Sequence, residues 1–290
     1  MKHTLELTHL DKIFWPEEKY TKGDLLDYYQ QVAPYMVPYL LHRPQVLHQF
    51  PDGIKGVNFY HKSIEGDLPE FVKTKKIHAD SDNRDLHFIV CENEETLMYM
   101  ANLGTIEIHP WLSTVDQLHH PDFLVIDLDP QDVPFKHVVE VAHTTRKILQ
   151  NLKIPCFCKT SGKRGLHIFI PIGKQYTYDQ SHEYAKQLAK KIHQQTPEWT
   201  SLEHDPDKRK GKIYLDYLRN SFGQTVAAPY SVRPVAKAPV STPLEWDEVT
   251  KDLDPTDFTI KTMIKRLEKK GDLWKGVLGK GVELNILLGS

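Results

Sequence analysis

Apolar residues recur at helical spacing in several stretches of the chain and at strand-like spacing between them. Leu25, Leu26, Tyr29, Val32 and Ala33 form one stripe of a helix that Thr21 can cap and Lys22 to Asp24 can open. Pro34 and Pro38 are expected to break or kink it, because proline has no N–H to close a helical turn. The run ETLMYMANL, Glu95 to Leu103, turns Leu97, Met98, Met100 and Ala101 to one face. Phe135 to Leu152 repeats the pattern through Val138, Val139, Ala142, Ile148 and Leu149, and Ser181 to Gln195 is a further amphipathic helix. A basic amphipathic helix is expected over Ile260 to Lys270.

Strands are read in the remaining apolar runs. HRPQVLHQFPDGIKGVNFYHK mixes alternating apolar residues with proline and glycine, which predicts short strands and turns. FLVIDLDP (123–130) is an apolar strand ending in acid; Pro155 to Lys159, Leu166 to Ile170 and IYLDYL (213–218) follow it as strands. Pro229, Pro234, Pro239 and Pro243 then suggest an extended arm over the surface. Strand-helix-strand order gives an α/β fold of the mixed α+β kind, with the chemistry between residues 109 and 233.

Composition narrows the function classes. Hydrophobic residues are 40% and charged residues 26% of the 290, so a sizeable core is available and disorder is excluded. Lys and Arg number 37 against 39 Asp and Glu, which excludes a histone-like basic coat but leaves room for a local basic groove. Three cysteines (Cys91, Cys156 and Cys158) do not make a disulfide scaffold and point to a reducing cytoplasm. No apolar run approaches the roughly 20 residues of a membrane span, and the opening MKHTLELTHLDKIF lacks a signal peptide's apolar core.

The strongest local signal is Asp127-Leu128-Asp129. Residues i and i+2 of a strand share a face, so both carboxylates stand together at its end. Such a pair repels itself unless a cation intervenes, and hard divalent ions take oxygen ligands; a solvated strand end with two ordinary acids is the alternative. Asp216 interrupts an otherwise apolar strand, and acids are rarely buried without a partner. If its strand neighbours the first, three carboxylates could hold two metal ions about 3.5–4 Å apart; pairing with Arg219 or exposure to solvent is the other reading. Ser161-Gly162-Lys163-Arg164-Gly165-Leu166-His167 is a tight turn whose N–H groups, lysine and histidine suit phosphate oxygens, although its spacing is not that of a Walker loop. A glycine-rich hairpin with basic tips would look the same. His109, in IEIHPW, alternates with apolar residues, and Arg219 and Arg233 are forks that fit phosphate or an ordinary ion pair. Cys156-Phe157-Cys158 has no second ligand pair, so zinc is not expected.

Taken in order, IEIHPW, FLVIDLDP, KTSGKRGLHI, IYLDYLRN and SVRP resemble the polymerase domain of bacterial ligase D, of the archaeo-eukaryotic primase superfamily. LDKIFWPEEKYTKGDLLDYY and HRPQVLHQFPDGIKGVNFYHK are similar to that family's opening blocks, so the resemblance covers nearly the whole chain. It implies a primase-like fold in which an RRM-like catalytic sheet packs against an N-terminal α/β module. One primase-polymerase domain is expected over 1–290, with an end- and template-binding module at 1–105, a catalytic core at 106–235 and a C-terminal arm and helix at 236–290. The activity implied is nucleotidyl transfer: template-directed gap filling and end extension in non-homologous end joining, with ribonucleotides often preferred over deoxynucleotides. Two manganese (or magnesium) ions would lie on Asp127, Asp129 and Asp216. Ser161, Lys163, His167, Arg219 and Arg233 would contact the incoming nucleotide, with His109 as the family's active-site histidine. Lys12 and Lys22 match lysines that hold a 5′-phosphate across a gap, and Phe59 and Tyr60 match the aromatic pair on which template bases stack. The partners implied are gapped or broken duplex DNA, Ku and a DNA ligase domain, in a cytoplasmic, nucleoid-associated setting with no membrane.

His48 and Gln49 depart from the family, which often has basic residues there, so one contact to template or 5′-phosphate is expected to be weaker. Tyr60 stands where phenylalanine is common and should preserve stacking. A manganese-dependent glycosyltransferase would use the D-x-D pair but leave Asp216 and the two lysines without a shared purpose. A metal-dependent nuclease would cleave where a polymerase extends, and a non-catalytic module would bind DNA without metal.

Overall fold

Thr21 starts the first long helix through a reciprocal cap: its hydroxyl accepts from the Asp24 N–H while the Asp24 carboxylate accepts from the Thr21 N–H. The computed structural model describes residues 5–79 and 83–288. Its elements in chain order are β1 (Ile13–Trp15), β2 (Tyr20–Thr21), α1 (Lys22–Leu40), β3 (Gln45–Gln49), β4 (Phe59–His61), β5 (Lys73–Ala79), β6 (Arg84–Val90) and α2 (Glu94–Asn102). They continue with β7 (Thr105–Pro110), β8 (Phe123–Pro130), α3 (Phe135–Asn151), β9 (Phe157–Thr160), β10 (Leu166–Pro171), α4 (Tyr178–Gln195), β11 (Thr200–Ser201), β12 (Ile213–Asp216), β13 (Pro243–Leu244) and α5 (Met263–Lys270).

Pro34 and Pro38 do not break α1, which runs through both to Leu40. Each interior proline costs about 3 kcal/mol or more. Beyond the first of them Met36, Tyr39 and Leu40 are buried, and each such side chain contributes about 1.5–3 kcal/mol. Burial therefore carries the helix past its own breakers.

The chain folds as two compact units. The first comprises the residues up to Asp116, Thr225–Ser241 and Phe258–Lys269; the second comprises Gln117–Gln224, Thr242–Asp257 and the chain from Lys270. In the first unit β3 is central to a three-stranded antiparallel sheet in the order β4-β3-β7, and β5 with β6 makes a separate hairpin. That hairpin left little trace in the sequence, because only Ile77 and Leu86 of its outer half are buried. The proline-rich segment after Tyr230 is not a surface arm. Ser231, Val232, Ala238 and Val240 are buried, and its N–H groups are paired: Tyr230 donates to the Ser241 carbonyl, Arg233 to Pro239 and Val240 to Phe258. The prolines fall between residues that still have N–H groups to pair, so the segment holds an interior position.

The second unit is built on a six-stranded mixed sheet, ordered β11-β12-β8-β10-β9-β13. Only β11 and β12 run parallel; the other pairs are antiparallel. Helices α3 and α4 pack against β8 and each other. Strand β12 stops at Asp216, short of the expected Leu218, and a 3₁₀ turn over Leu218–Asn220 follows. There Asn220, fully buried, replaces the missing strand. Its side chain accepts from the Val125 N–H and donates to the Val125 carbonyl, each at 2.7 Å, so the β8 edge stays satisfied beyond the end of its neighbour.

Candidate active site

In the second unit the pairing register aligns four chemistry-bearing residues. Lys159 of β9 lies opposite His167 of β10, His167 opposite Asp127 of β8, and Asp127 opposite Asp216 of β12. Directly paired residues share a sheet face, so the four side chains form one row across four strands. The Lys159 ammonium donates to His167 Nδ1 at 2.8 Å, which leaves the His167 Nε2–H facing Asp127 Oδ1 at 3.5 Å. Lys159 is fully buried. A buried ammonium needs acceptors, and here the row supplies them.

Each acid faces at least one arginine. Arg219 Nε stands 3.0 Å from Asp216 Oδ2 and 3.8 Å from Asp127 Oδ2, and Asp216 Oδ1 accepts from the Leu218 N–H at 3.0 Å. Asp129, one pleat further along β8, lies 3.6 Å from both Arg164 and Arg209. Arg209 is itself fixed: its guanidinium donates to the carbonyls of Glu203 and His204 and lies 4.0 Å over the Tyr214 ring. Asp127 is pushed up to about 7, first by burial and then, against the pull of Arg219, by the charges of Asp216 and Asp129. Such a carboxylate is short of positive charge. Among the described residues no three His, Cys, Asp or Glu side chains form a ready cage for a metal ion. The donor set nevertheless fits a hard divalent ion: Asp127 and Asp216 are adjacent carboxylates, and a bound cation would offset both the burial and the neighbouring negative charge that raise Asp127.

The turn after β9 departs from expectation. Its N–H groups are not all turned outward, since those of Lys163 and Gly165 donate to Ser161 Oγ at 3.2 and 3.0 Å. The Ser161 N–H donates to the Gly165 carbonyl at 2.9 Å and closes the turn. Gly165 is required because a Cβ there would strike the Leu128 carbonyl oxygen, midway between the two acids of β8. The same turn lines a cleft of about 540 Å³, bordered by Lys163, Arg164, Pro130, Pro134, Phe135 and Leu253.

In the first unit a second constellation surrounds Glu107, which is fully buried on β7. Its Oε2 accepts from His48 Nδ1 at 2.7 Å and from His109 Nε2 at 3.2 Å, while Arg233 Nε stands 2.8 Å from Oε1. Burial alone would raise this carboxyl, but the hydrogen bonds from His109 and His48 and the charge of Arg233 hold it far below the usual range. His109 is lowered, chiefly by burial, against the opposing pull of Glu107. His48 also stacks beneath Tyr60, with ring centroids 4.0 Å apart and planes at 14°. Phe59 and Tyr60 remain exposed on β4. Gln49 is buried within β3.

Lys12 and Lys22 are neighbours, since Lys22 is lowered first by burial and then by the charge of Lys12. The N–H groups at the start of α1 are already paired. The Lys22 N–H donates to the Lys12 carbonyl, the Gly23 N–H to Leu10 and the Asp24 N–H to the Thr21 hydroxyl. The Lys22 ammonium donates to the Thr8 carbonyl and hydroxyl and to Asn102 Oδ1, and Lys12 pairs with Asp52 at 2.5 Å.

Lys159, Arg209, Glu107 and Asn220 escaped the sequence reading. Glu107 carried the signal that singled out Asp216, an acid inside an apolar strand. Arg209 and Asn220 lie in irregular segments that offer no periodicity to read.

Comparison with known proteins bears on the family and the fold. The model of the family described as "LigD, primase-polymerase domain" matches residues 21–274. The bifunctional non-homologous end joining protein LigD of Bacillus subtilis is 33% identical over 269 residues, covering 92% of this chain and 43% of that protein. The multifunctional LigD of Mycolicibacterium smegmatis is 27% identical over 272 residues, covering 93% of this chain and 35% of that protein. The chain thus spans less than half the length of these relatives. The solved polymerase domain from Mycobacterium tuberculosis ligase D, in complex with DNA, superposes with a TM-score of 0.89 at 24% identity, over 97% of this chain and 100% of that one. It shares the fold.

Proposed function

The chain belongs to the LigD primase-polymerase domain family, and on that premise we propose that it extends DNA ends and fills gaps by template-directed nucleotide addition during non-homologous end joining. The observation that carries the reading is the row Lys159, His167, Asp127, Asp216. Donors stand at one end and carboxylates at the other, which suits a triphosphate whose α-phosphorus is attacked beside the acids. No protein nucleophile is needed.

Asp127, Asp129 and Asp216 are the metal-holding residues of this reading. Two divalent ions bound there, manganese in preference to magnesium, would supply Lewis-acid activation of the primer 3′-hydroxyl and neutralise charge on the departing pyrophosphate. His167 offers an Nε2–H whose tautomer Lys159 fixes, and a fixed donor stabilises developing negative charge without reorganisation. Ser161, Lys163, Arg219 and Arg233 are proposed contacts to the nucleotide, together with His109. Arg219, which now bridges Asp127 and Asp216, has phosphate as its alternative partner. Exposed Phe59 and Tyr60 offer stacking surfaces for unpaired template bases, a sequence-tolerant contact worth about 1–3 kcal/mol per base. Lys12 and Lys22 are the proposed 5′-phosphate contacts, with Lys12 exchanging Asp52 for the phosphate.

Ribonucleotides are proposed to serve at least as well as deoxynucleotides. Broken DNA ends, Ku and a ligase domain or protein are the proposed partners, at the nucleoid. No helix among the described residues is long and apolar enough to cross a membrane. Extension of a labelled primer across a 5′-phosphorylated gap, with each nucleotide set and with manganese, magnesium or chelator, tests the reading. Shortening of the primer would indicate a nuclease, and metal-independent binding without product a non-catalytic module.

A further inference from the structure

Glu107 lies outside every role assigned above, yet it is the most completely buried carboxylate of the first unit's polar cluster. It shows no exposed surface, whereas the His109 and Arg233 side chains it touches each keep 11% of theirs. The anchor is dry, while the two side chains it holds keep a small share of their surface. Strand geometry makes this arrangement. Glu107 and His109 alternate with Ile106 and Ile108, so the two polar residues share a face while the isoleucines fill the core. His48 comes from the neighbouring strand, directly opposite Glu107. Arg233 is brought in by the segment whose Ser231 hydroxyl accepts from the Ile108 N–H at 2.9 Å.

We propose that Glu107 is a positioning residue for the nucleotide contacts: it fixes the ring of His109 and the fork of Arg233 so that their remaining polar atoms face the incoming nucleotide. This rests on the polymerase reading and on the assignment of His109 and Arg233 to nucleotide binding. A carboxylate buried only for stability is a poor solution, because apolar residues of like volume often serve as well or better. What a buried carboxylate adds is orientation. Through its bond to Glu107 the His109 Nε2 carries the proton, which leaves Nδ1 as the acceptor. With Nε held against Oε1, the Arg233 terminal nitrogens are free to make a paired contact to phosphate. His48 occupies the same oxygen as His109 and stacks under Tyr60, so this residue, where a basic group was expected to reach DNA, is committed inward.

The test compares wild type, Glu107→Gln, Arg233→Ala and the double variant Glu107→Gln/Arg233→Ala in single-nucleotide primer extension, with thermal unfolding of each. Glu107→Gln is expected to raise the nucleotide KM at least about tenfold while kcat stays within about threefold and primer-template affinity is unchanged. The double variant is expected to be worse than Arg233→Ala by less than the full Glu107→Gln effect, because Glu107 acts through Arg233 as well as through His109. A folded Glu107→Gln protein with wild-type KM, or losses that multiply in the double variant, overturns the proposal. If Glu107→Gln yields no folded protein, Glu107→Asp, which keeps the charge but withdraws it by one methylene, replaces it with the same two outcomes. A wild type that does not extend the primer fails the polymerase reading and this inference with it. A wild type that extends, beside an unaffected Glu107 variant, fails this inference alone.

Discussion

His167 stands directly opposite Asp127 across two antiparallel strands, with Nε2 3.5 Å from Oδ1, while Lys159 holds the other ring nitrogen at 2.8 Å. A proposed phosphate donor and a proposed metal-holding acid are thus set by one register. A slip of one residue in β8 or β10 would send one of them to the far face of the sheet.

That register makes Gly165 vulnerable. A Cβ at Gly165 collides with the Leu128 carbonyl oxygen, and Leu128 separates Asp127 from Asp129. Gly165→Ala is expected to cost about 1–3 kcal/mol of stability, as overpacking does. It is also expected to reduce extension more than unfolding accounts for. Chemical denaturation with parallel activity measurements checks both; an active, undisturbed variant would show that the turn and β8 can part without consequence.

The Asp127 carboxyl gives a pH signature in metal-free protein. Its value is raised to about 7 by burial and neighbouring acids, above the ordinary 3.8 of the unfolded chain. Between these values the folded state binds more protons than the unfolded state, so stability falls as pH rises from about 4 to about 7 and levels off above. Asp127→Asn removes that loss. With chelator present, the variant is expected to be more stable than wild type above pH 7 by a few kcal/mol and to lose the advantage near pH 4. Parallel melting curves at several pH values decide it, and identical pH profiles would refute it.

Much of the fold was legible because its signals are local. Thr21 and Asp24 announced α1, and the alternation in FLVIDLDP placed Asp127 and Asp129 on one face before any partner strand was known. What was hidden depends on tertiary context. Pro34 and Pro38 sit inside a helix because burial of Met36, Tyr39 and Leu40 outweighs them. The Ser161 hydroxyl turns two N–H groups inward, which no spacing rule reveals. Lys159 could be recognised only once β9 and β10 were known to pair, since a lysine in a short strand ordinarily reads as surface.

The two N-terminal lysines should separate phosphorylated from unphosphorylated ends. Wild type is expected to favour a gapped duplex bearing a 5′-phosphate, and Lys12→Ala/Lys22→Ala to lose that preference while binding the 5′-hydroxyl end as before. Lys22→Ala alone should also lower stability, because it deserts the Thr8 and Asn102 oxygens that its ammonium satisfies. Equal wild-type affinity for both ends, measured by fluorescence anisotropy, would remove the lysines from end recognition.

Sugar choice is a separate matter. Single-nucleotide insertion with ribo- and deoxynucleotides side by side is expected to give ribonucleotides a specificity at least equal to that of their deoxy counterparts. A strong deoxynucleotide preference would contradict the reading.

The central claim is that Asp127, Asp129 and Asp216 do metal-assisted nucleotidyl transfer, and primer extension by Asp127→Ala and Asp129→Ala on gapped DNA tests it most directly. Wild type is expected to extend the primer only with a divalent ion present. Each variant is expected to fall at least about a hundredfold in rate, a loss typical of removing transition-state charge stabilisation, while binding the DNA normally. Retention of more than about a tenth of the wild-type rate by either variant, a barrier change of less than about 1.4 kcal/mol, would contradict the assignment.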